Sequence, residues 1–403
     1  MMPAIFSSDM TCAAWPERRA QLVELFRSQE FGRAPAQPYT STAEQLYSTP
    51  VLDGRAVREY YRITLTTARG SAAFHMALYL PQAEAPVPAV LMISNHDKAA
   101  APATPPDFSA MGALMAAAPA AWREMVQGMM AGMQKGGAPA PQLLDIEQDL
   151  NTGYWPVEQI LASGRAAAAF YASEVQPDDR ARFPGPVASL FCDADAPRQA
   201  DGWGTLGVWA FAASRAVDVL CAHPLLDAGR IAVAGHSRGG KTALWCAAQD
   251  ERISAVLVNN SGCSGAAVSR GKAGENVASI NAFFPHWFCP NYARYAWREE
   301  EMPFDQHMLL AAVAPRLCYV TSGSEDLWSD PDAEWNGAVL ASAAWQLFGD
   351  APLGGDAPLG GEPPAPGTPL TGSRIGYHRR AGGHDLTAWD WGCFLRFLEL
   401  HQK

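Results

Sequence analysis

The 403-residue chain is short of positive charge, and its lysines and arginines form no basic cluster. It has 30 Lys and Arg residues against 41 Asp and Glu residues, which gives a formal net charge of −11 at pH 7. Nucleic acids and anionic membranes are bound mainly through clustered cations that contact phosphates. The composition therefore argues against both as main partners, and we expect neither nucleic acid nor membrane to be bound.

The chain also lacks the sequence features of membrane insertion and of secretion. No apolar run is expected to reach the roughly 20 residues that a transmembrane helix requires, so no membrane span is predicted. Residues 1–9 show no basic segment followed by an apolar core, so no secretory signal is predicted. Two locations stay open: the cytoplasm if the chain is complete, or secretion or the periplasm if a leader was removed.

The eight cysteines are widely scattered, and none forms the C-x-x-C pair that structural zinc prefers. We expect no metal and no cofactor. Cys246 and Cys318 lie in apolar segments, which predicts buried thiols. A disulfide such as one between Cys263 and Cys289 stays open, because pairing cannot be read from sequence.

Strand patterns and helix patterns alternate over most of the chain. Apolar strand patterns lie at 87–93, 231–234, 253–258 and 316–321. Helix patterns, such as the one at 204–221, separate them. This alternation predicts an α/β fold, with a doubly wound, mostly parallel sheet in a three-layer sandwich. We expect residues 1–403 to form a single catalytic domain, with an antiparallel strand pair at 57–67 and 73–80.

Three segments fall outside the regular alternation. Residues 1–50 are an N-terminal lead-in that contains an amphipathic helix pattern. Residues 98–150 are rich in Ala, Met, Pro and Gly and are predicted to be an insertion, either a lid over a site or a loop without a role. Residues 350–372 contain the tandem copies Ala-Pro-Leu-Gly-Gly-Asp and Ala-Pro-Leu-Gly-Gly-Glu, which predict an exposed Pro/Gly-rich loop.

The stretch at 235–240 reads Gly-His-Ser-Arg-Gly-Gly and matches the Gly-x-Ser-x-Gly elbow. A strand pattern precedes it and a helix pattern follows it at 241–248. This order lifts a serine hydroxyl above the carboxyl edge of a parallel sheet, beside the N–H groups of a helix start. Ser237 is therefore the predicted nucleophile, and the Arg238 backbone N–H is predicted to serve a developing oxyanion.

A serine nucleophile needs a histidine base and an acid that orients the base. His384 is the predicted base, because it follows two glycines in a loop before the helix pattern at 389–400. His378 is its nearest rival, but it lies in a strand pattern where a packed or surface histidine is more typical.

The acid is expected in the loop after the strand pattern at 317–321. Asp326 is preferred there, and its neighbour Glu325 is the alternative. Asp385 is a weaker candidate, because adjacent side chains in an extended loop tend to point apart.

The segments around these residues resemble the bacterial glucuronoyl esterases of carbohydrate esterase family 15, over roughly residues 204–400. The matching segments are 235–245, 259–267, 274–275, 284–288, 376–378 and 382–386. The Ser-Arg-x-Gly-Lys sequence at 237–241 is the most specific part. The resemblance implies the α/β-hydrolase fold and hydrolysis of the ester between a glucuronic acid group of xylan and an alcohol of lignin. It also implies an acyl-enzyme route without metal.

The resemblance implies roles for individual catalytic residues. Ser237 and His384 match the nucleophile and the base, and Arg238 matches an arginine whose backbone N–H and side chain serve the oxyanion. Many members carry the acid as Glu after the strand that follows the nucleophile, but this chain has Asn260 and its neighbours there. The alternative family position is the one that Asp326 fills.

Three further residues match the family's sugar site. Lys241 matches a lysine that hydrogen-bonds sugar hydroxyls, Glu275 a carboxylate in the sugar site, and Trp328 an aromatic residue on which the uronate packs. Each also has a plain alternative: a helix-capping lysine, a surface glutamate and a core tryptophan. His286 is predicted to be a packed loop histidine.

Two other functions stay open from the sequence. One is an acetylxylan or other small-acyl carbohydrate esterase with the same triad. The other is a non-catalytic carbohydrate-binding relative that has lost its acid. The expected partner is a glucuronate ester or a glucuronoxylan fragment.

Overall fold

A nine-stranded sheet runs through the protein in this computed structural model, which describes residues 2–97, 109–133, 143–355 and 361–402. Its strands are β1 (Thr40–Val51), β2 (Ala56–Thr67), β3 (Gly70–Pro81), β4 (Val87–Ser94), β5 (Ala166–Tyr171), β6 (Leu226–His236), β7 (Ile253–Asn259), β8 (Leu317–Gly323) and β9 (Ile375–Arg380). Their order across the sheet is β1-β2-β3-β5-β4-β6-β7-β8-β9.

The sheet is antiparallel at one edge and parallel over the rest. Neighbouring strands in the series β1-β2-β3-β5 pair antiparallel. Neighbouring strands in the series β5-β4-β6-β7-β8-β9 pair parallel. The predicted antiparallel pair and the predicted mostly parallel sheet are confirmed. The sequence pattern does not predict β1, because this edge strand is mostly exposed and lacks a buried apolar alternation.

Helices cover both faces of the sheet. The α-helices in the described residues are α1 (Trp15–Gln29), α2 (Ser109–Ala117), α3 (Ala120–Met133), α4 (Val157–Ala162), α5 (Ala172–Val175), α6 (Thr205–Ala222), α7 (Arg238–Gln249), α8 (Val277–Phe283), α9 (Gln306–Ala311), α10 (Pro331–Ala341), α11 (Ala343–Gln346) and α12 (Ala388–His401). Four short 3-10 helices lie at Arg180–Arg182, Ala188–Leu190, Tyr292–Tyr295 and Glu299–Glu301.

The apolar core is divided between the two faces of the sheet. Along β4, Leu91 and Ile93 pack in the cluster that includes residues of α1, α6 and α7. Val90 and Met92, which alternate with them, pack in the cluster that includes residues of α4 and α12. Successive side chains of a strand point to opposite faces, so one strand serves both layers. The predicted three-layer α/β-hydrolase fold is confirmed.

Helix α6 corrects the expectation that no apolar segment reaches membrane-spanning length. It is long and apolar enough to cross a membrane by length and composition alone. However, 61% of it is buried inside the protein, where Leu206, Val208 and Leu220 belong to the core cluster. Such burial is typical of a central helix in a folded domain.

The described part of the 98–150 insertion contains α2 and α3, while residues 98–108 and 134–142 lie outside the described residues. In α3, Trp122 donates its indole N–H to the carbonyl oxygen of Gly274 at 2.8 Å.

Of the Pro/Gly-rich loop at 350–372, residues 356–360 lie outside the described residues. The described positions of this loop are exposed or half-buried, apart from Leu353.

All eight cysteines are free thiols. Cys263 and Cys289 are both buried, and they do not form the disulfide that the sequence left open. Cys246 and Cys318 are buried as well, as their apolar surroundings predict.

Candidate active site

Ser237 lies in a sharp turn between the end of β6 and the first residue of α7. Its φ is +56°, a left-handed conformation that is strained for a residue with a side chain. The turn also requires glycine nearby: a Cβ on Gly235 would lie 2.1 Å from the carbonyl oxygen of Gly239. The local geometry is the strand, turn and helix of a nucleophile elbow.

His384 and Asp326 are hydrogen-bonded to each other. His384 Nδ1 lies 2.6 Å from Asp326 Oδ2, and only 6% of the surface of Asp326 is exposed. The neighbouring Glu325 is exposed, and its backbone N–H donates to the carbonyl oxygen of Gly382 at 2.9 Å. Asp326, rather than Glu325, therefore faces the imidazole.

The surroundings of Asp326 keep its carboxyl group ionised. Burial raises the pKa of this carboxyl, but the hydrogen bond and charge of His384 lower it. The Asn260 side-chain amide donates to Oδ2 at 2.7 Å, and the Ser329 backbone N–H donates to Oδ1 at 3.3 Å. Together they hold the pKa well below its usual range. An ionised Asp326 favours a proton on Nδ1 of His384, which leaves Nε2 as the basic nitrogen.

The His384 ring packs beside the elbow. Its centroid lies 4.6 Å from that of His236, the residue before Ser237. His236 is buried with Nδ1 2.5 Å from Asn259 Oδ1, and burial followed by the charge of His384 lowers its pKa well below its ordinary value. Within the described residues, the His384 side chain forms its hydrogen bonds through Nδ1, with Asp326 Oδ2 at 2.6 Å and Ser329 Oγ at 3.4 Å, and none joins it to Ser237 Oγ. Such bonds commonly tighten when substrate binds.

The two rival residues have other partners. His378 is fully buried, with Nδ1 3.0 Å from the Tyr319 hydroxyl and Nε2 2.8 Å from Asp390 Oδ1. It is a packed histidine, as its strand pattern indicates. Asp385 is exposed, and its carboxylate accepts the backbone N–H of Leu386 at 2.8 Å.

Asp178 holds the side chain of Arg238. Its carboxylate accepts hydrogen bonds from Arg238 Nη1, from His286 Nε2 at 2.9 Å and from Trp287 Nε1 at 2.6 Å. Burial raises the pKa of Asp178, but the charge of Arg238 and the other donors hold it well below its usual range. The guanidinium also lies 5.1 Å from the Trp287 ring centroid, which favours a cation–π contact.

Sequence reasoning missed Asp178 as a partner of the elbow. It lies 60 positions before Arg238, so no local motif joins the two. The one available indication is its place shortly after β5, since residues that follow parallel strands meet at the carboxyl edge of the sheet. His286 was expected to be a packed loop histidine, and it is buried, but it also supports this carboxylate.

The three residues of the predicted sugar site lie together. Lys241 Nζ donates to the carbonyl oxygen of Ser261 at 2.6 Å and lies 3.6 Å from Glu275 Oε2. The Glu275 backbone N–H donates to the carbonyl oxygen of Trp328 at 2.8 Å. Lys241 is 4% and Glu275 6% exposed, so this ion pair is almost entirely buried. Trp328 is half-buried and faces Trp122 of α3.

This arrangement provides the parts that acyl transfer needs. The elbow presents a serine, a histidine–carboxylate pair lies beside it, and a helix starts next to the serine. Arg238 adds a fixed positive charge at the helix start, where an oxyanion is favoured. Among the residues that the structure describes, no group of three or more His, Cys, Asp or Glu side chains is arranged to hold a metal ion.

Comparisons with known proteins identify the family of the chain. Residues 132–349 match the family model described as glucuronyl esterase, fungi. Carbohydrate esterase MZ0003, from an unknown prokaryotic organism, is 32% identical over 393 residues, which cover 96% of this chain and 84% of that protein. The 4-O-methyl-glucuronoyl methylesterase of Podospora anserina is 31% identical over 156 residues, covering 36% of this chain and 32% of that protein.

The solved structures extend the likeness to the whole fold. A glucuronoyl esterase from Solibacter usitatus superposes with a TM-score of 0.80 at 32% sequence identity, covering 99% of this chain and 97% of that chain. Sequence and structure are thus similar along nearly the full length of both proteins. The chain therefore belongs to the glucuronoyl esterases of carbohydrate esterase family 15.

Proposed function

We propose that the protein is a serine esterase that hydrolyses esters of glucuronic acid or of its 4-O-methyl derivative, through an acyl-enzyme on Ser237. The observation that carries this proposal is the buried Asp326 carboxylate hydrogen-bonded to His384 beside the Ser237 elbow. The names of the Podospora and Solibacter relatives support the uronate part of the substrate.

In the first half-reaction, Ser237 Oγ attacks the carbonyl carbon of the ester while His384 Nε2 takes the hydroxyl proton. The carbonyl oxygen becomes an oxyanion that the Arg238 N–H and guanidinium stabilise. The C–O bond to the alcohol then breaks, and the imidazolium gives its proton to the departing alkoxide. Ser237 is left esterified by the uronate.

In the second half-reaction, water replaces the alcohol. His384 Nε2 takes a proton from the water as its oxygen attacks the acyl carbon. Collapse of the second oxyanion releases the free uronic acid, and the proton returns to Ser237 Oγ. Asp326 stays ionised throughout and stabilises the imidazolium in both halves.

Substrate recognition is assigned to the groups beside the helix start. Arg238 and Lys241 lie three positions apart on α7, and both approach the Trp287 ring, at 5.1 and 5.9 Å from its centroid. We assign Lys241 and Glu275 to the sugar hydroxyls and Trp328 to packing against the sugar ring. The Lys241–Glu275 pair supports this role because its two charges offset each other and leave directed donors and acceptors.

The domain organisation follows the single sheet. We propose that residues 1–403 form one catalytic domain, since the strands from β1 to β9 all join one sheet. We also propose that the insertion acts as a lid. Its support is the Trp122 hydrogen bond to Gly274, which attaches α3 directly to the residue before Glu275.

Turnover of a glucuronate benzyl ester by wild type and by Ser237→Ala tests the proposed function. We expect wild type to hydrolyse this ester and Ser237→Ala to lose activity by at least about 10³-fold while keeping its unfolding temperature. An acetylated sugar is the matched second substrate. Preference for the acetyl group would instead indicate a small-acyl esterase. A Ser237 that a fluorophosphonate probe fails to label would indicate a non-catalytic relative.

A further inference from the structure

Arg380, the last residue of β9, makes several contacts with the loop that carries His384. Its Nη1 donates to the carbonyl oxygen of Ala381 at 2.9 Å. Its Nη2 donates to the carbonyl oxygens of Gly383 at 2.8 Å and Asp385 at 3.0 Å. One guanidinium therefore holds the residues before and after the histidine, and the Arg380 side chain is only 12% exposed.

The guanidinium is itself anchored to the helix behind the loop. Arg380 Nε donates to Asp390 Oδ2 at 3.0 Å, and Asp390 is fully buried on α12. The other carboxylate oxygen of Asp390 lies 2.8 Å from His378 Nε2. Asp390 also accepts the Thr387 backbone N–H at 2.8 Å, in the capping box of α12. Arg380 therefore connects the loop to a fixed part of the core.

The same loop is joined to the turn that carries the acid. The Ser324 backbone N–H donates to the Arg380 carbonyl oxygen at 2.8 Å, and Glu325 N–H donates to that of Gly382 at 2.9 Å. The approach is so close that a Cβ on Gly323 would lie 2.3 Å from the Gly383 carbonyl oxygen. The loop is thus held between the acid turn on one side and the Arg380 side chain on the other.

We propose that Arg380 is a positioning residue for the base: it fixes the backbone around His384 so that the imidazole stays between Asp326 and Ser237. Arginine suits this task because its planar guanidinium directs five N–H groups outward, whereas lysine offers three donors from one nitrogen. A misplacement of about 1 Å of a catalytic group can cost about 100-fold in rate. The inference rests on the proposed triad but not on which ester is the substrate.

The test compares Arg380→Lys and Arg380→Ala with the matched control Arg379→Ala. Arg379 precedes Arg380 on the same strand, but its guanidinium pairs at 3.1 Å with Asp332, a mostly exposed carboxylate on α10. The measurements are kcat and KM for a glucuronate benzyl ester, the rate of Ser237 labelling by a fluorophosphonate probe, and the unfolding temperature. Each is repeated for Arg380→Ala with millimolar methylguanidinium.

For Arg380→Lys and Arg380→Ala we expect kcat and the labelling rate to fall by about 30- to 100-fold with KM changed less than about twofold. Methylguanidinium should restore part of the loss in Arg380→Ala, and Arg379→Ala should behave as wild type. The proposal is wrong if folded Arg380 variants keep wild-type kcat, if KM alone rises, or if the loss in Arg380→Ala follows unfolding and is not restored by methylguanidinium. If wild type labels at Ser237 but ignores the glucuronate ester, the proposed substrate fails, and the labelling rates still test Arg380.

Discussion

Asn260 donates its side-chain amide to Asp326 Oδ2 at 2.7 Å, the same oxygen that lies 2.6 Å from His384 Nδ1. Asn260 directly follows β7, and Asp326 lies in the turn after the neighbouring strand β8. An amide in this place neutralises no charge, but it supplies a directed donor to a carboxylate that is almost fully buried. Asn260 thereby helps to keep Asp326 ionised and oriented.

Replacing Asn260 tests this support. Asn260→Ala removes one donor from a buried carboxylate, and a hydrogen bond to a charged group contributes about 1.5–3 kcal/mol. We expect kcat/KM to fall about tenfold or more, measured on the glucuronate benzyl ester. Asn291→Ala is the control, because it removes a comparable side-chain hydrogen bond, from the Asn291 amide to the Ser28 carbonyl oxygen. Unchanged kinetics in Asn260→Ala would contradict the assigned support.

The strained backbone at Ser237 predicts a difference between two inactive variants. Ser237→Ala and Ser237→Gly both lose the nucleophile, but only glycine adopts a φ of +56° without a side-chain clash. Relief of this backbone strain stabilises the folded state by about 1–3 kcal/mol. Glycine also gives the unfolded chain more conformational freedom, which offsets about 0.4–1 kcal/mol of that gain. We expect Ser237→Gly to be about 1 kcal/mol more stable than Ser237→Ala in urea unfolding. Equal stability would show that the elbow is unstrained.

The lowered pKa of Asp178 predicts that the protein loses stability in acid. Its pKa is held below that of the unfolded chain, so the stabilisation is fully present above about pH 4 and is lost as pH falls through the lower folded value. Asp178→Asn should remove this dependence. It should also cost about 3 kcal/mol at pH 6, because it breaks a largely buried pair with Arg238.

Thermal unfolding of wild type and Asp178→Asn between pH 6 and pH 2 measures the difference in slope. Asp227→Asn is the matched control, since Asp227 pairs with Arg230 at a site where the two side chains are 34% and 40% exposed, so that solvent screens the pair and its loss should cost less. If Asp178→Asn loses stability in acid as steeply as wild type, another carboxylate is responsible.

The raised pKa of Glu30 predicts the opposite dependence of stability on pH. This fully buried residue follows α1 and accepts a hydrogen bond from Gln306 Nε2 at 3.0 Å. Burial raises its pKa to about 8, so the folded protein keeps a proton that the unfolded chain loses near pH 4.5. Stability should therefore fall as pH rises from about 4.5 to 8.

Glu30→Gln should remove this loss, because the amide is uncharged at every pH and keeps the side-chain shape. We expect the variant to unfold at a higher temperature than wild type at pH 8, and to differ little from it at pH 5. Glu24→Gln, on α1 with a side chain that is 47% exposed, is the control. Parallel stability curves for wild type and Glu30→Gln would show that Glu30 is ionised in the folded protein.

The parts of the fold that sequence patterns predict are those with a local physical cause. β4, β7, β8 and the second half of β6, from residue 231, are buried almost throughout, so their residues are mostly apolar. β1 has no such requirement at the edge of the sheet, and its polar sequence follows from its exposure. Helix α6 illustrates the converse, since a central position makes its sequence apolar enough to suggest a membrane span.

The same distinction holds within the candidate site. Ser237 and Arg238 can be read from the sequence because the elbow is local, and its glycines are required by backbone contacts. The supports of these residues cannot be read in this way. Asp178 lies 60 positions from Arg238, and Asn260 lies 66 positions from Asp326. The choice between Glu325 and Asp326 depends on which of two adjacent side chains points inward, and only the folded turn decides this.

The pairing of β8 with β9 also affects how the protein can evolve. Gly323 pairs with Arg380, so the acid turn and the base loop leave neighbouring strands at the same level of the sheet. The chain between these strands includes the tandem six-residue copies at 351–362. The free-energy cost of closing a loop grows slowly with its length, at about 0.6 kcal/mol for each doubling, so we expect the gain or loss of one six-residue copy to leave the strand register unchanged. The alignment of acid and base therefore depends on the pairing of two strands and not on the length of the chain that connects them.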